Sequence, residues 1–480
     1  MRGYLASSIG VTCAAVLTLS SALPAMAAVP GGRASSAVAA VAAVPGGRAS
    51  SVVPVTESAP VPGSTQSLPL VPLTGPRATG VLPERGLGPQ AVRSFSLVGV
   101  VWDDPGIELN GRVQLRTRAS GTTRWSDWQE VETHNAGHGP DPGTMEGGSS
   151  RMRGSTEPLW VGDSDGIEVR VRAEEGHVGT TRAPVLPDGL RVELVDPGAQ
   201  SLAGAPTQTS HAVAPVDPPG TDESDTVPGA YFSASAPNAD LAPLDALKIP
   251  ALSKKATTVE ASREAMPGAT EGSAEGVQPY IGPRPSIITR RGWGADETLR
   301  EAGFVYTDKV KVAFVHHTGT GNNYSCSQAP SVIRSIYRYH VVSSGWRDIG
   351  YNFLVDKCGN IYEGRAGGVA KPVMGAHTLG FNDDSMGIAV LGSYSSTNPS
   401  AAVVNAIAKL SAWKLGLYGM DPRAATYLTS AGGNLYPKGE NARLNVISGH
   451  RDGFATDCPG RLLYGKLGSA RSTAALYQGR

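Results

Sequence analysis

Apolar and polar positions fall into two ordered patterns along this chain, separated by stretches with no pattern. Between 92 and 196, short runs alternate: VRSFSLVGVVW, GRVQLRTRAS, RWSDWQEVE, LWVGDSDGIEVRVRAE and LRVELVD. A period of two puts successive side chains on opposite faces of an extended strand. Turn clusters such as Asp103-Asp104-Pro105-Gly106 and Asp163-Ser164-Asp165-Gly166 separate the runs. Short strands at this spacing predict an antiparallel β-sandwich-like domain over 92–197. From Pro285 the pattern changes. VKVAFVHH (310–317) reads as a strand, and 328–344 as a helix with Ile333, Ile336, Tyr337 and His340 on one stripe. YNFLVD (351–356) and NIYEG (360–364) predict a hairpin around Lys357-Cys358-Gly359, and MGIAVLGSY (386–394) a buried strand. A further helix is expected from about Ser400 to Tyr418, with Pro399 near its first turn and Gly419 just past its end. Alternating strands and helices predict one α/β domain over 284–467.

The intervening segments read as spacers. AVPGGRASS occurs at 28–36 and again at 43–51, and 52–90 holds eight prolines and four charged residues. Residues 28–91 are therefore expected to be a low-complexity, polyproline-like spacer. Residues 198–283 read as an acidic Pro/Ala/Ser-rich linker between independent domains, and 468–480 as a C-terminal tail. At the start, Arg2, the apolar stretch Ile9–Leu23 and Ala25-Met26-Ala27 form the three parts of a signal peptide, 1–27, which would carry Cys13 away on cleavage. No later apolar run approaches the roughly 18 residues of a membrane span, so no transmembrane segment is expected after cleavage. In the sandwich, Asp103, Asp104, Asp163 and Asp165 are calcium candidates, but Asp is ordinary turn chemistry and that reading comes first. Trp125 and Trp128 would either stack on sugars or fill the core.

Charge is split between the two halves. The chain carries 42 Lys+Arg and 42 Asp+Glu, yet 284–480 holds 22 basic and 13 acidic side chains, leaving 20 and 29 upstream. The C-terminal domain is thus the part that would favour an anionic partner. Nothing resembles a basic recognition helix or a zinc-finger pair, so nucleic acid is not expected.

His316 ends an apolar stripe with Val310, Val312 and Phe314, which alone fits a satisfied core histidine or a ligand. His450 and Cys458 lie in SGHRDGFATDCPG. Two His and one Cys make a three-ligand set, and a zinc site with three protein ligands keeps a fourth position for water. Zinc lowers the pKa of such a water to about 7 and polarises a carbonyl.

AFVHHT (313–318), GWRDIGYNFLV (345–355), IYEGR (361–365), GAH (375–377), GHRDGFATDCPG (449–460) and RRGWGA (290–295) together resemble the peptidoglycan recognition protein and phage-lysozyme-type zinc amidase family over about 284–465. The resemblance implies a central mixed sheet flanked by helices and hydrolysis of the amide between N-acetylmuramic acid and L-alanine. By position, His316, His450 and Cys458 match the zinc ligands, and His317 does not. Tyr351 matches the catalytic tyrosine. Thr456 matches a neutral donor to the tetrahedral intermediate. His377 and Arg365 match the substrate groove, although Ala366-Gly367-Gly368-Val369 departs from the animal recognition proteins after the EGR motif.

If Cys458 binds zinc, Cys326 and Cys358 remain for one disulfide, the alternative being two free thiols. The implied partners are peptidoglycan and the anionic polymers of a cell wall, and the protein is expected to be a secreted, wall-associated monomer. A binding-only recognition protein is the rival reading. Within the family, losing the zinc cysteine goes with binding without cleavage, so Cys458 and Tyr351 favour catalysis.

Overall fold

Leu97–Trp102 is an unbroken apolar run inside the first domain, and both of its faces are buried. That property organises the molecule. The computed structural model describes residues 62–73, 82–133, 135–174, 185–199, 228–265 and 280–480. The signal segment and the AVPGGRASS repeats lie outside the described residues.

The β-sandwich-like domain is an eight-stranded sheet. Along its main path Ser64–Pro69 pairs with Arg191–Asp196, followed by Glu84–Trp102, Leu159–Ala173, Gly111–Ala119 and Gln129–Val131, all antiparallel. Val71–Pro72 and Gly154–Ser155 add to the long strand Glu84–Trp102. That strand carries register shifts at Leu87/Gln90, Ala91/Phe95 and Phe95/Leu97; such bulges bend a strand and increase its twist. Phe95, Val98, Val100 and Trp102 pack with Val113, Leu115, Val169, Val192 and Leu194 in the domain's own core. The expected spacer therefore ends earlier than its prolines imply. Residues 62–73 and 82–91 are largely strand, with Pro69 and Pro72 at the ends of short strands where a missing N–H costs least.

In the second domain the sheet order is Ile447–Gly449, Val312–His317, Ser385–Val390, Phe353–Val355, Ile361–Glu363, Ile287–Ile288 and Lys248–Ile249. Val312–His317 is parallel to both neighbours, whereas Phe353–Val355 and Ile361–Glu363 form the expected antiparallel hairpin. The mixed sheet has helices on both sides. Helix Ala401–Leu417, capped by the Ser400 hydroxyl accepting from Val403 N, packs Val403, Ile407, Leu410 and Trp413 against Ala313, Val315, Phe353 and Ile388. Helix Ala329–Arg338, continued by the π turn Tyr339–Ser343, buries Ile333, Ile336 and Tyr337 on the other side, against Leu354, Tyr362 and Ala389.

Two expected unstructured segments are built into this domain. Within the expected linker, Ile249 pairs with Ile287 at the sheet edge, and Asn238 donates to Glu363 and accepts from Val369 N. Helix Lys254–Ala265 follows, with the buried Thr257 hydroxyl accepting from Arg284 N. Composition hid these contacts because a few residues, not an apolar stripe, make them. The expected tail is helix Leu467–Gln478, whose Ala470 and Ala474 let it approach helix Ala401–Leu417 closely.

The domains are not independent beads. Leu97, Val101, Trp160 and Val195 of the first share one hydrophobic cluster with Trp293, Ile336, Tyr337 and Tyr339 of the second. The Tyr339 hydroxyl donates toward the carbonyls of Thr156 (3.1 Å) and Val100 (3.3 Å). A Cβ on Gly99 would lie 2.3 Å from that hydroxyl, so the strand passes only as glycine.

Candidate metal centre and groove

Alternation along Val312–His317 sorts its two histidines. Val312 and Phe314 join the cluster with Phe381, Leu428 and Leu444, and Ala313 and Val315 face helix Ala401–Leu417. His316 falls on the Phe314 side and His317 on the other. The neighbouring strand Ile447–Gly449 delivers His450 directly past its end, and the turn after it returns Cys458 to the same point. The three residues meet in the interior: His316 Nδ1 is 3.8 Å from Cys458 Sγ, and their ligand atoms lie within 4.8 Å of those of His450 and of a fourth residue, His138. His138 comes from the first domain. Its Nε2 is 3.2 Å from His316 Nδ1 and 3.9 Å from Cys458 Sγ.

The donor set fits a metal ion. His450 Nε2 donates to the Gly137 carbonyl at 3.0 Å, which leaves Nδ1 buried with no hydrogen-bond partner and free to serve as ligand. His316 Nε2 lies 3.3 Å from the Thr378 hydroxyl, so the ring is oriented from behind, as metal-bound imidazoles usually are. Burial first, then the neighbouring histidines, hold His316 and His450 well below the ordinary histidine pKa, in the neutral form that ligates. Burial pushes the Cys458 thiol well up, while a hydrogen bond from His317 N opposes it; a cation at this point would reverse that direction.

Around the centre, Tyr351 is buried with its ring 5.6 Å from that of His316, and burial, then Glu157 and Cys458, raise its hydroxyl pKa. The Thr456 hydroxyl accepts from Cys458 N at 3.2 Å and borders, with His138, Trp346 and Phe454, a cavity of about 390 Å³. His377 is fully buried: Nδ1 meets the Thr378 hydroxyl at 3.0 Å, and Nε2 has no partner. Arg365 is buried as well, donating to the Ile349 carbonyl and held by Glu146. The two expected groove residues are thus covered in this state. Cys326 and Cys358 form a disulfide with Cα atoms 6.3 Å apart, pinning the loop after the first strand to the hairpin turn. Cys458 is the free cysteine among the described residues.

Sequence reasoning missed His138, Asp141, Glu146 and Glu157, all in or beside the segment 132–157 of the first domain. The available signal was loop length: NAGHGPDPG (135–143) sits in a connection too long for a hairpin turn, and long ordered loops are usually functional. The aspartates read as turn chemistry behave so, with Asp104 accepting from Gly106 N and Asp165 paired with Arg118. Trp125 and Trp128 lie under the Arg116 guanidinium.

Comparison with known proteins agrees with this division. The family described as N-acetylmuramoyl-L-alanine amidase matches residues 306–461, and the family described as Rv3811 N-terminal galactose-binding domain-like matches 52–201. The chain is 30% identical over 184 residues to peptidoglycan-recognition protein SC2 of Drosophila melanogaster, covering 38% of this chain and 84% of that one. It is 36% identical over 122 residues to peptidoglycan recognition protein 3 of Homo sapiens, covering 25% and 34%. Among solved structures, wild-type Drosophila PGRP-LB matches with a TM-score of 0.30 and 26% identity, over 38% of this chain and 92% of that chain.

Proposed function

As the chain belongs to the peptidoglycan recognition protein and N-acetylmuramoyl-L-alanine amidase family, we propose that it is an exported, zinc-dependent amidase that cleaves the bond between N-acetylmuramic acid and L-alanine of peptidoglycan. The observation that carries this reading is the meeting of His316, His450 and Cys458, with His450 Nδ1 buried and unpartnered. These three residues would hold the ion, and zinc bound there supplies Lewis acidity and an acidified water. Tyr351 and Thr456 do the protein's share. The Tyr351 hydroxyl, kept protonated by burial, donates to the oxygen on which charge develops. Thr456 fixes the Cys458 turn and borders the 390 Å³ cavity beside His138. Arg365 provides a cation for a stem-peptide carboxylate. The excess of basic side chains over 284–480 adds attraction to anionic wall polymers.

Retention of Cys458 and Tyr351 favours cleavage over binding alone. The test is metal analysis with chelation. The zinc-loaded chain should hold one equivalent, Cys458→Ser should lose it, and slow release of stem peptides from purified walls should stop on chelation and return with zinc. Full metal content in Cys458→Ser would overturn the assignment.

A further inference from the structure

We propose that residues 135–146 of the first domain are an inhibitory plug for the amidase groove, with His138 as a fourth protein ligand that closes the metal site. The proposal rests on the zinc reading above and adds that the chain in this conformation is latent.

The first support is geometric. Zinc–nitrogen and zinc–sulfur bonds of about 2.0–2.3 Å put tetrahedral ligand atoms roughly 3.3–3.8 Å apart. His138 Nε2 lies 3.2 Å from His316 Nδ1 and 3.9 Å from Cys458 Sγ, and the His316–Cys458 separation is 3.8 Å. The second is the tautomer. His138 Nδ1 faces Asn135 Oδ1 and Glu157 Oε1, each 2.9 Å away. The Nδ1 hydrogen bond goes to Asn135 Oδ1, while Glu157 Oε1, at the same distance, is out of line for one. Both atoms are acceptors, so the ring proton sits on Nδ1 and the Nε2 lone pair points at the centre. A buried carboxylate behind an imidazole is the usual support of a metal-bound histidine. A site with four protein ligands is the closed, structural kind, with no position left for a reacting water.

The rest of the segment occupies the groove. The Gly137 carbonyl accepts from His450 Nε2 and from Leu379 N. A Cβ there would lie 2.6 Å from Phe454 and 2.9 Å from His450, so a residue with a side chain does not fit as the loop stands. Asp141 accepts from Gly380 N, Asn382 N and Asn382 Nδ2, and the Gly139 carbonyl accepts from Asn382 Nδ2. Glu146 takes both Arg365 terminal nitrogens and the Arg347 amide. A stem-peptide carboxylate would need that same Arg365 guanidinium, so substrate competes directly with Glu146. Release need not separate the domains. Their shared core is built from Leu97, Val101, Trp160, Val195 and Tyr339, outside the plug, and the loop is anchored by strands at Val131 and Gly154.

The experiment uses the full chain loaded with cobalt(II), whose absorption reports coordination, with acetohydroxamate as an exogenous ligand and a soluble muramyl pentapeptide as substrate. Wild type should show a tetrahedral cobalt–thiolate spectrum that does not respond to acetohydroxamate. His138→Ala should respond, and its hydrolysis should rise at least about tenfold if the open form is a tenth or less of the population. Glu146→Ala, which keeps all four ligands, should bind the pentapeptide more tightly than wild type and gain activity, covering the case in which His138→Ala misfolds. A cobalt–thiolate band with equal acetohydroxamate response in wild type and His138→Ala would overturn the plug and leave the metal reading intact. So would a fall in hydrolysis in His138→Ala. Failure of any chain to show a cobalt–thiolate band would remove the metal reading and the plug together.

Discussion

Glu146 of the first domain grips Arg365 of the second through two hydrogen bonds of 2.8 and 2.9 Å, with side chains only 10% and 5% exposed. Removing one partner of a buried pair strands the other charge, at a cost of about 3–5 kcal/mol when no rearrangement relieves it. Arg365→Met should therefore lower stability by up to that amount, and adding Glu146→Leu should restore part of it. A double-mutant cycle on chemical unfolding measures the coupling; additive effects would mean that the pair is solvent-separated in solution.

Tyr351 offers a second test, made in the His138→Ala background so that turnover is measurable. Loss of one donor to the developing oxyanion costs on the order of 10²–10³ in rate. Tyr351→Phe should show that loss in kcat with unchanged metal content. Turnover equal to the parent would assign the tyrosine to packing.

Asp141 makes plug docking depend on pH. Burial raises its pKa from 3.8 to about 6, opposed by hydrogen bonds from Gly380 and Asn382, and Asp383 adds to the rise. Below 3.8 the carboxyl is protonated whether the loop is docked or released. Between 3.8 and about 6 only the docked form keeps its proton, so docking weakens as pH rises through that window and stays weaker above it. About two pH units correspond to roughly 3 kcal/mol. Hydrogen exchange of the Gly380 and Asn382 amides should accelerate from pH 4 to 6.5, beyond the intrinsic chemical increase. In Asp141→Asn that excess should vanish; its persistence would place the titration elsewhere.

Tyr339 tests the fusion of the domains. Its single hydroxyl proton is shared between the Thr156 and Val100 carbonyls inside the shared cluster; such a bond contributes about 1 kcal/mol, and its loss leaves buried carbonyls less satisfied. Tyr339→Phe should destabilise the protein by roughly 1–2 kcal/mol while both domains still unfold in a single transition, followed by Trp fluorescence and near-ultraviolet circular dichroism. Two separate transitions in the wild type would mean that the interface contributes little.

The meeting of His316, His450 and Cys458 was legible in the sequence because local pattern determines it: a strand of period two ends at His316, and one short segment carries both His450 and Cys458. The disulfide followed by removing Cys458 from the count. The plug was not legible, because His138 meets His316 across a sequence separation of 178 residues and nothing local marks the contact. The shared core left a weak trace. LVGVVW is apolar without alternation, the signature of a strand buried on both faces, but within an alternating domain it reads as one more sandwich strand. Helix Lys254–Ala265 and strand Lys248–Ile249 were hidden by polar composition, since single residues such as Ile249 and Thr257 hold them in place.

The most direct measurement is the chemistry of the ends made in purified peptidoglycan. Walls are digested with the zinc-loaded His138→Ala chain, and the new amino termini are labelled and identified by mass spectrometry. The account predicts free amino groups on the L-alanine of released stem peptides, matched by muramic acid lacking its peptide, with neither appearing under chelation. Zinc-bound chain that leaves the muramoyl–alanine bond whole, or that cuts within the stem instead, would contradict it.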